Sequence, residues 1–351
     1  MHNLVRIRSE ILLHELDYFI FDQHAGGGNN SYDMSIFVQD STNSENSPEM
    51  VNEDCLLKYS ECLGLLGAKF VVRFSDTIAI YVNQVLSASR HVVYVNVVEP
   101  LLRFLLISKG YILLHSACVG TNESGILLSA LPDTGKTSLT LKCINDGFSF
   151  LSDDMTILRL PNQALCFPKP LTISWSTYKS SPDLPNNAVH NKLFFRVQSL
   201  IHSKRGRQFM HKIGNYNSMP VLTLNAVTQI VMPPPKFKIV DIIQPEILKK
   251  EIAIESLYFL QHDNYQYIES VPKETSLRRA VENSDHAFLF PPLSRLFSQI
   301  TIKGMSFQEL IQKERDMLEG FFMNIRCRSL NGTNKSWYSM IKSDLVRHPA
   351  N

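Results

Sequence analysis

The stretch "SALPDTGKTSL" (residues 129–139) nearly spells the phosphate-binding loop GxxxxGK[ST], with one departure at its head. Gly135, Lys136 and Thr137 fill the last three positions, and Ala130 stands where the first glycine belongs. In such a loop, successive backbone N–H groups ahead of a helix N-terminus make a nest for phosphate oxygens. The lysine neutralises the β- and γ-phosphates, and the threonine hydroxyl ligates Mg2+. Ala130, Leu131, Pro132, Asp133, Thr134, Gly135, Lys136, Thr137 and Ser138 are therefore the candidate nucleotide-binding segment. Two of them pull the other way. Ala130 cannot enter a positive-φ turn as cheaply as glycine, although it is tolerated where the chain is still extended. Asp133 places a carboxylate among phosphate-binding residues, where it repels anions unless its side chain points away.

The flanking residues supply the strand–loop–helix–strand setting that such a loop requires. "YILLHSACV" (111–119) reads as a strand, "TNESG" (121–125) as a turn, and "ILLSAL" (126–131) as a second, fully apolar strand. "KTSLTLKCINDG" (136–147) has apolar residues at helical spacing and stops on Gly147. "FSFLSDDMTILRL" (148–160) is a further strand, broken by Asp153 and Asp154. A Mg2+-bound phosphoryl group needs a hard carboxylate opposite the loop's hydroxyl. Thr137, Asp153 and Asp154 are accordingly candidate metal ligands. Adjacent strand residues point to opposite faces, so only one aspartate reaches the metal unless the strand bulges. Alone, "SDDM" reads as a polar strand end or turn rather than as a metal site. His115, in an apolar strand, is by itself a hydrogen-bonded core residue; beside a strand carrying a phosphate loop it would lie near the γ-phosphate.

The segment from Leu113 to Leu158, about 46 residues, resembles the core of the HPr kinase/phosphorylase family, which is related in fold to PEP carboxykinases. A strand with histidine, a turn, an apolar strand entering the loop, a helix, and a strand ending in paired aspartates occur in that order. "FPKPLTIS" (167–174) is similar to the segment that follows the acid pair in the family's less characterised members. The resemblance implies an α/β fold. Its parts are a PEP-carboxykinase/HPr-kinase-like P-loop domain over 96–351 and a smaller β-rich N-terminal domain over 1–95. It also implies a Mg-ATP-dependent kinase acting on a hydroxyl acceptor; similar stand-alone proteins phosphorylate serine in peptide precursors such as those of lasso-peptide clusters. Lys136 would hold phosphate, and one of Asp153 and Asp154 would bind Mg2+. The other aspartate would accept the hydroxyl proton, and His115 would assist. The C-terminal signature of HPr kinases is absent, and glycine is missing at 130 and at 133. A regulatory nucleotide-binding module without transfer activity and a small-molecule kinase are the alternatives. The donor, whether ATP, GTP or pyrophosphate, stays open, as does self-association.

The rest of the chain bounds these readings. A net charge of +2 with 44% hydrophobic and 19% charged residues fits a globular protein and gives no overall pull toward nucleic acid. Six scattered cysteines (Cys55, Cys62, Cys118, Cys143, Cys166 and Cys327) show no metal-ligand spacing and read as reduced thiols, mostly core filler. The opening "MHNLVRIRSEILLHELDYF" mixes charges throughout, unlike a secretory leader. "HVVYVNVVEPLLRFLLI" (91–107) is broken by Glu99, Pro100 and Arg103, whereas a membrane span wants about 20 apolar residues. The expectation is a buried strand or turn, then a helix starting at Pro100, in a cytoplasmic protein without a membrane span.

Before residue 90, "MSIFVQ", "AKFVVRFS" and "TIAIYVNQV" read as strands. "DQHAGGGNNSYD" and "QDSTNSENSPEMVNEDC" read as loops. From Leu184 to Val240 there is no Asp or Glu, and there are eight Lys and Arg. That stretch is either a solvated basic loop or an acceptor platform presenting Lys204, Arg205 and Arg207. Further on, "IESLYFLQHD" reads as a strand and "FQELIQKERDMLEGFFMNI" as an amphipathic helix.

Overall fold

A computed structural model describes residues 1–24, 31–39, 50–51, 56–63, 66–121, 124–131, 134–180, 192–202, 220–288 and 300–348. The protein is a mixed α/β chain that divides into two compact units. One comprises Met1–Lys109, Leu200–Pro234 and Phe288–Gln312, and the other the remaining segments. The boundary expected at residues 95 and 96 therefore moves to residues 109 and 110, and two later segments join the first unit. Residue 95 lies inside one continuous helix, Arg90–Ser108, which falls wholly within the first unit.

The first unit contains a six-stranded sheet of β1 (Ile7–Ser9), β2 (Met34–Val38), β3 (Met50–Val51), β4 (Leu56–Leu63), β5 (Leu66–Arg73) and β6 (Ile78–Val82). Their order is β1-β2-β6-β5-β4-β3. The alternation along "AKFVVRF" and "IAIYV" buries Phe70, Val72, Ile78, Ile80 and Val82, as a strand with one covered face requires. The three expected strands thus correspond to β2, β5 and β6, but each runs past the observed strand, and the end of the third (Gln84 and Val85) starts a helix capped by Asn83. Most of the two expected loops (25–30, 40–49 and 52–55) lies outside the described residues.

Helix α1 (Arg90–Ser108) corrects one expectation. Residues 91–98 are helical, although Val92, Val93, Val95, Val97 and Val98 favour strands locally. Burial decides: Val92, Val93, Tyr94, Val97 and Val98 are all at most 1% exposed. The Glu99 N–H bonds the Tyr94 carbonyl five residues back, a widened turn immediately before Pro100. That local π-turn fits a proline, which has no N–H to donate, into a continuing helix. Among the described residues α1 is the one helix long and apolar enough to cross a membrane, and 78% of its most apolar window is buried inside the fold.

The second unit is built on a nine-stranded sheet. Its strands are β7 (Ile112–Leu114), β8 (Ala117–Gly120), β9 (Gly125–Ser129), β10 (Ser149–Ser152), β11 (Thr156–Arg159), β12 (Gln163–Leu165), β13 (Glu251–His262), β14 (Tyr267–Ser270) and β15 (Arg326–Gly332). The long strand β13 joins two halves. Its start pairs with β12, and its later residues pair in parallel with β9 and β15. Strand β9 is buried on both faces, which explains its unbroken apolar run. Leu127 faces a core with Leu257, Phe259 and Phe321, while Ile126 and Leu128 face one with Leu139, Tyr258 and Trp337. Helices α2 (Lys136–Asn145) and α5 (Trp337–Arg347) supply that second core, and α4 (Lys273–Phe288) contributes Ala280 to the first.

Two segments of the chain break where they pass between the halves. β7 pairs with β11 and β8 pairs with β10, both antiparallel, with Leu114 opposite Thr156 and Cys118 opposite Ser152. Residues 115–117 therefore run beside residues 153–155. The Ser116 hydroxyl donates to Thr156 Oγ1 (2.9 Å), and Ser152 Oγ lies 2.6 Å from the same oxygen. The single strand expected over 111–119 is thus two short strands. The break places His115 beside the aspartate pair. Cys118, Cys143, Cys166 and Cys327 are buried and in no disulfide, as expected of core filler.

Candidate active site

The chain leaves β9 through Ala130 and Leu131 and enters α2 at Gly135. Pro132 and Asp133 lie outside the described residues. Thr134 closes the loop locally, since its N–H and hydroxyl both donate to the Leu131 carbonyl, at 3.3 and 2.6 Å. The Thr134 carbonyl in turn lies 2.9 Å from His262 Nε2, at the end of β13. Gly135 has φ +111° and caps the helix without a side-chain hydrogen bond. That backbone conformation demands glycine; a Cβ there would meet only the movable tip of the exposed Asn334 side chain, 2.5 Å away. The first-turn N–H groups of α2 have no acceptor within the helix, leaving them for an anion.

At the loop's head, the only described non-glycine residues with positive φ are His2, Asn3 and Lys303. Ala130 thus keeps ordinary backbone, and its methyl is buried beside Leu128 and Leu139. The glycine of the standard pattern is not needed at this position. Ala130→Gly should therefore cost stability, about 1 kcal/mol from lost burial and greater unfolded-state entropy. Nucleotide affinity should stay within about 3-fold, a change below 1 kcal/mol. Denaturant unfolding and calorimetric titration of the variant check both halves. A large gain in affinity would mark the alanine as decay.

The catalytic candidates converge on the start of α2. The Thr137 hydroxyl donates to Asp153 Oδ2 at 2.7 Å. Asp153 is 6% exposed, and its Oδ1 is buried without a hydrogen-bond partner. Lys136 Nζ is likewise buried and without a hydrogen-bond partner. Burial pushes the Asp153 carboxyl up from its usual range, opposed by the Lys136 ammonium and the Thr137 hydrogen bond. Burial pushes the Lys136 ammonium down, opposed by Asp154 and Asp153 and reinforced by Lys169. Such unsatisfied atoms are costly in a low-dielectric interior, and this pair sits at the head of a helix whose N–H groups face the same way.

Asp154 points elsewhere, as expected for adjacent residues at a strand end. Its side chain is 51% exposed; Oδ2 accepts from Lys169 Nζ at 2.8 Å, and Oδ1 lies 3.5 Å from His115 Nε2. Burial of the carboxyl group itself acts to raise it. The Lys169 ammonium, the His115 contact and the Lys136 ammonium outweigh that and hold it well below the usual carboxylate range. His115 is 5% exposed, and its Nδ1 lies 3.2 Å from the Asn283 carbonyl of α4. A carbonyl only accepts, so Nδ1 carries the proton and Nε2 faces Asp154. Burial, then the Lys136 ammonium, push the ring below its usual range, so it is neutral near pH 7. Ser138 Oγ donates to Thr177 Oγ1 at 3.2 Å, tying α2 to helix α3 (Trp175–Ser180) and away from the site.

Lys136, Thr137, Asp153, Asp154 and His115 thus come together. Lys204, Arg205 and Arg207 lie outside the described residues. Among the described residues no three His, Cys, Asp or Glu side chains gather as metal ligands. Thr137 and Asp153 suit Mg2+, which keeps several waters and binds through one or two carboxylates plus substrate phosphates; the orphaned Asp153 oxygen fits that role. Sequence reasoning missed Lys169. Its signal was a single charge between Pro168 and Pro170 in an otherwise apolar run, and that lysine is 5% exposed. Asn283 and Ser284, which hold the His115 ring and N–H, carry no local signal at all.

No protein-family profile and no curated protein sequence matches the chain. Among solved structures, an HPr(Ser) kinase/phosphatase from Coxiella burnetii is similar over 67% of this chain and 95% of that chain, with 8% identity and a TM-score of 0.27. At that TM-score the likeness carries no weight for function, which is read from the site alone.

Proposed function

We propose that the protein is a Mg-ATP-dependent phosphotransferase of HPr-kinase-like type, and that its acceptor is a hydroxyl, a serine of a peptide or protein. The observation that carries this reading is the buried, unpartnered Lys136 ammonium beside Asp153, itself hydrogen-bonded to Thr137, at an uncapped helix N-terminus. An ammonium and a carboxylate oxygen left without hydrogen-bond partners at one helix N-terminus are complementary to a phosphate and its divalent cation. When bound, Mg2+ would neutralise phosphate charge.

The residues divide the work. The N–H groups of Gly135 to Ser138 and the Lys136 ammonium hold the phosphates, and Thr137 and Asp153 hold the cation. Asp154 is kept ionised and half open, so it can accept the hydroxyl proton of the acceptor. As that proton moves to Asp154, the acceptor oxygen bonds to the terminal phosphorus, and the bond to the leaving phosphate oxygen breaks with its electron pair. His115 Nε2, unprotonated and facing Asp154, can take the proton on once Asp154 has accepted it. Positioning and charge neutralisation supply most of the acceleration in such a site. The acid-free stretch with Lys204, Arg205 and Arg207 is assigned to the acceptor, as an anion-favouring platform.

The test is ATP turnover. Wild-type protein with Mg-ATP should form ADP slowly with water as acceptor, and faster with a serine-containing peptide mixture that becomes labelled from γ-labelled ATP. Chelation of Mg2+ should stop both. ADP formation no faster than in the Asp154→Asn variant would sink the kinase reading.

A further inference from the structure

Building on that reading, we propose that Lys169 is a second phosphate-binding cation, which exchanges Asp154 for the terminal phosphate of the nucleotide and so releases Asp154 to the acceptor hydroxyl. Lys169 approaches Asp154 from inside the fold. The lysine is 5% exposed while the carboxylate it bonds is 51% exposed, so the Asp154 side of the pair is the one open to solvent. Its backbone is fixed by Pro168 and Pro170 and by an N–H bond to the Phe167 carbonyl at 2.9 Å. Beyond that anchor the four-carbon stem is rotatable, and the ammonium carries three donors.

Its neighbourhood points to phosphate. Lys169 lies close enough to Lys136 for the two ammonium groups to repel, and Lys136 is the residue addressed to the β- and γ-phosphates. In the empty site two lysines balance two aspartates, with His115 neutral. Adding a triphosphate with four negative charges and one Mg2+ leaves an excess of two negative charges. A desolvated ammonium is drawn strongly to such an excess, because little water screens it. The same move resolves a conflict. In the empty site the Lys169 ammonium holds Asp154 Oδ2 and offsets its charge, which weakens the carboxylate as a base for the acceptor proton.

The experiment is calorimetric titration of Lys169→Gln and Lys169→Arg with Mg-ATP and Mg-ADP. Gln keeps a donor for Asp154 but has no charge, and Arg keeps the charge. Lys169→Gln should lose about 10- to 100-fold in affinity for Mg-ATP, the range for a lost hydrogen bond to a charged group, with Mg-ADP affinity nearly unchanged. Lys169→Arg should restore most of the ATP preference. Comparing the two nucleotides on one preparation cancels any loss of folded protein. Equal losses for ATP and ADP, or none for either, would make Lys169 a structural ion pair and overturn the assignment while leaving the kinase reading intact. Wild-type protein that binds neither nucleotide would overturn the kinase reading and this assignment with it.

Discussion

Lys136→Met should lose about 100-fold or more in affinity for Mg-ATP while unfolding at nearly the wild-type denaturant concentration. The binding loss follows from the position of the ammonium. It is buried at the head of α2 without a hydrogen-bond partner, so an incoming phosphate gains a charge-assisted contact whose desolvation is already incurred. Such contacts are each worth about 1.5–3 kcal/mol, or roughly 10- to 100-fold, and this one faces more than one phosphate. Stability should respond differently. Removing the ammonium relieves a buried charge without a hydrogen-bond partner but takes an attractive partner from Asp154 and from Asp153. Asp153, already pushed up by burial, can answer by taking a proton, so the two effects oppose and the net change should stay within about 1 kcal/mol. A variant that unfolds in buffer would show that Lys136 is a structural ion, and one that binds ATP normally would remove the loop from the site.

Asp154→Asn should reduce phosphoryl transfer by about 100- to 10,000-fold, the usual contribution of a positioned base, with Mg-ATP affinity changed by only a few-fold. The amide is isosteric and can still accept from Lys169, so local packing is kept. What it loses is the ability to take a proton. Asp153→Asn should behave in the opposite sense, because Asp153 is the carboxylate bonded to the Thr137 hydroxyl: Mg2+-dependent affinity should fall. Because the Asp154 carboxyl is held well below the usual carboxylate range, it stays ionised as pH falls through that range. In the nucleotide-free protein acid should therefore protonate Asp154 only below that range; once Lys169 moves to the phosphate that hold weakens, and the acid limb of turnover should move up. Steady-state kinetics and titration of the two variants separate the roles; loss of binding in both would merge them into one metal site.

Much of this site was legible from local sequence, and the reasons are physical. The GKT end of the loop depends on one positive-φ glycine, one lysine and one hydroxyl in succession. The break at Asp153 and Asp154 shows because two carboxylates cannot continue an apolar strand. The misreadings have one cause, which is that tertiary burial overrides local preference. A run of valines around Tyr94 favours strand by propensity, yet forms the buried first half of α1. His115 reads as one more residue of a single strand, and the crossing between sheet halves that sets it beside Asp154 depends on pairings with β10 and β11. Lys169 is 15 residues from its partner Asp154, and Asn283 is 168 from His115. Contacts at such separations leave no periodicity or motif to detect. At Ala130 the standard glycine pattern asked for more than this backbone uses.

The most direct test of the central claim is a calorimetric titration of the wild-type protein with ATP, with and without Mg2+. A phosphate held by Lys136 and a cation held by Thr137 and Asp153 predict one saturable site per chain, at least about 10-fold tighter with Mg2+ than with a chelator present. An absence of saturable binding, or equal affinity with and without Mg2+, would contradict it.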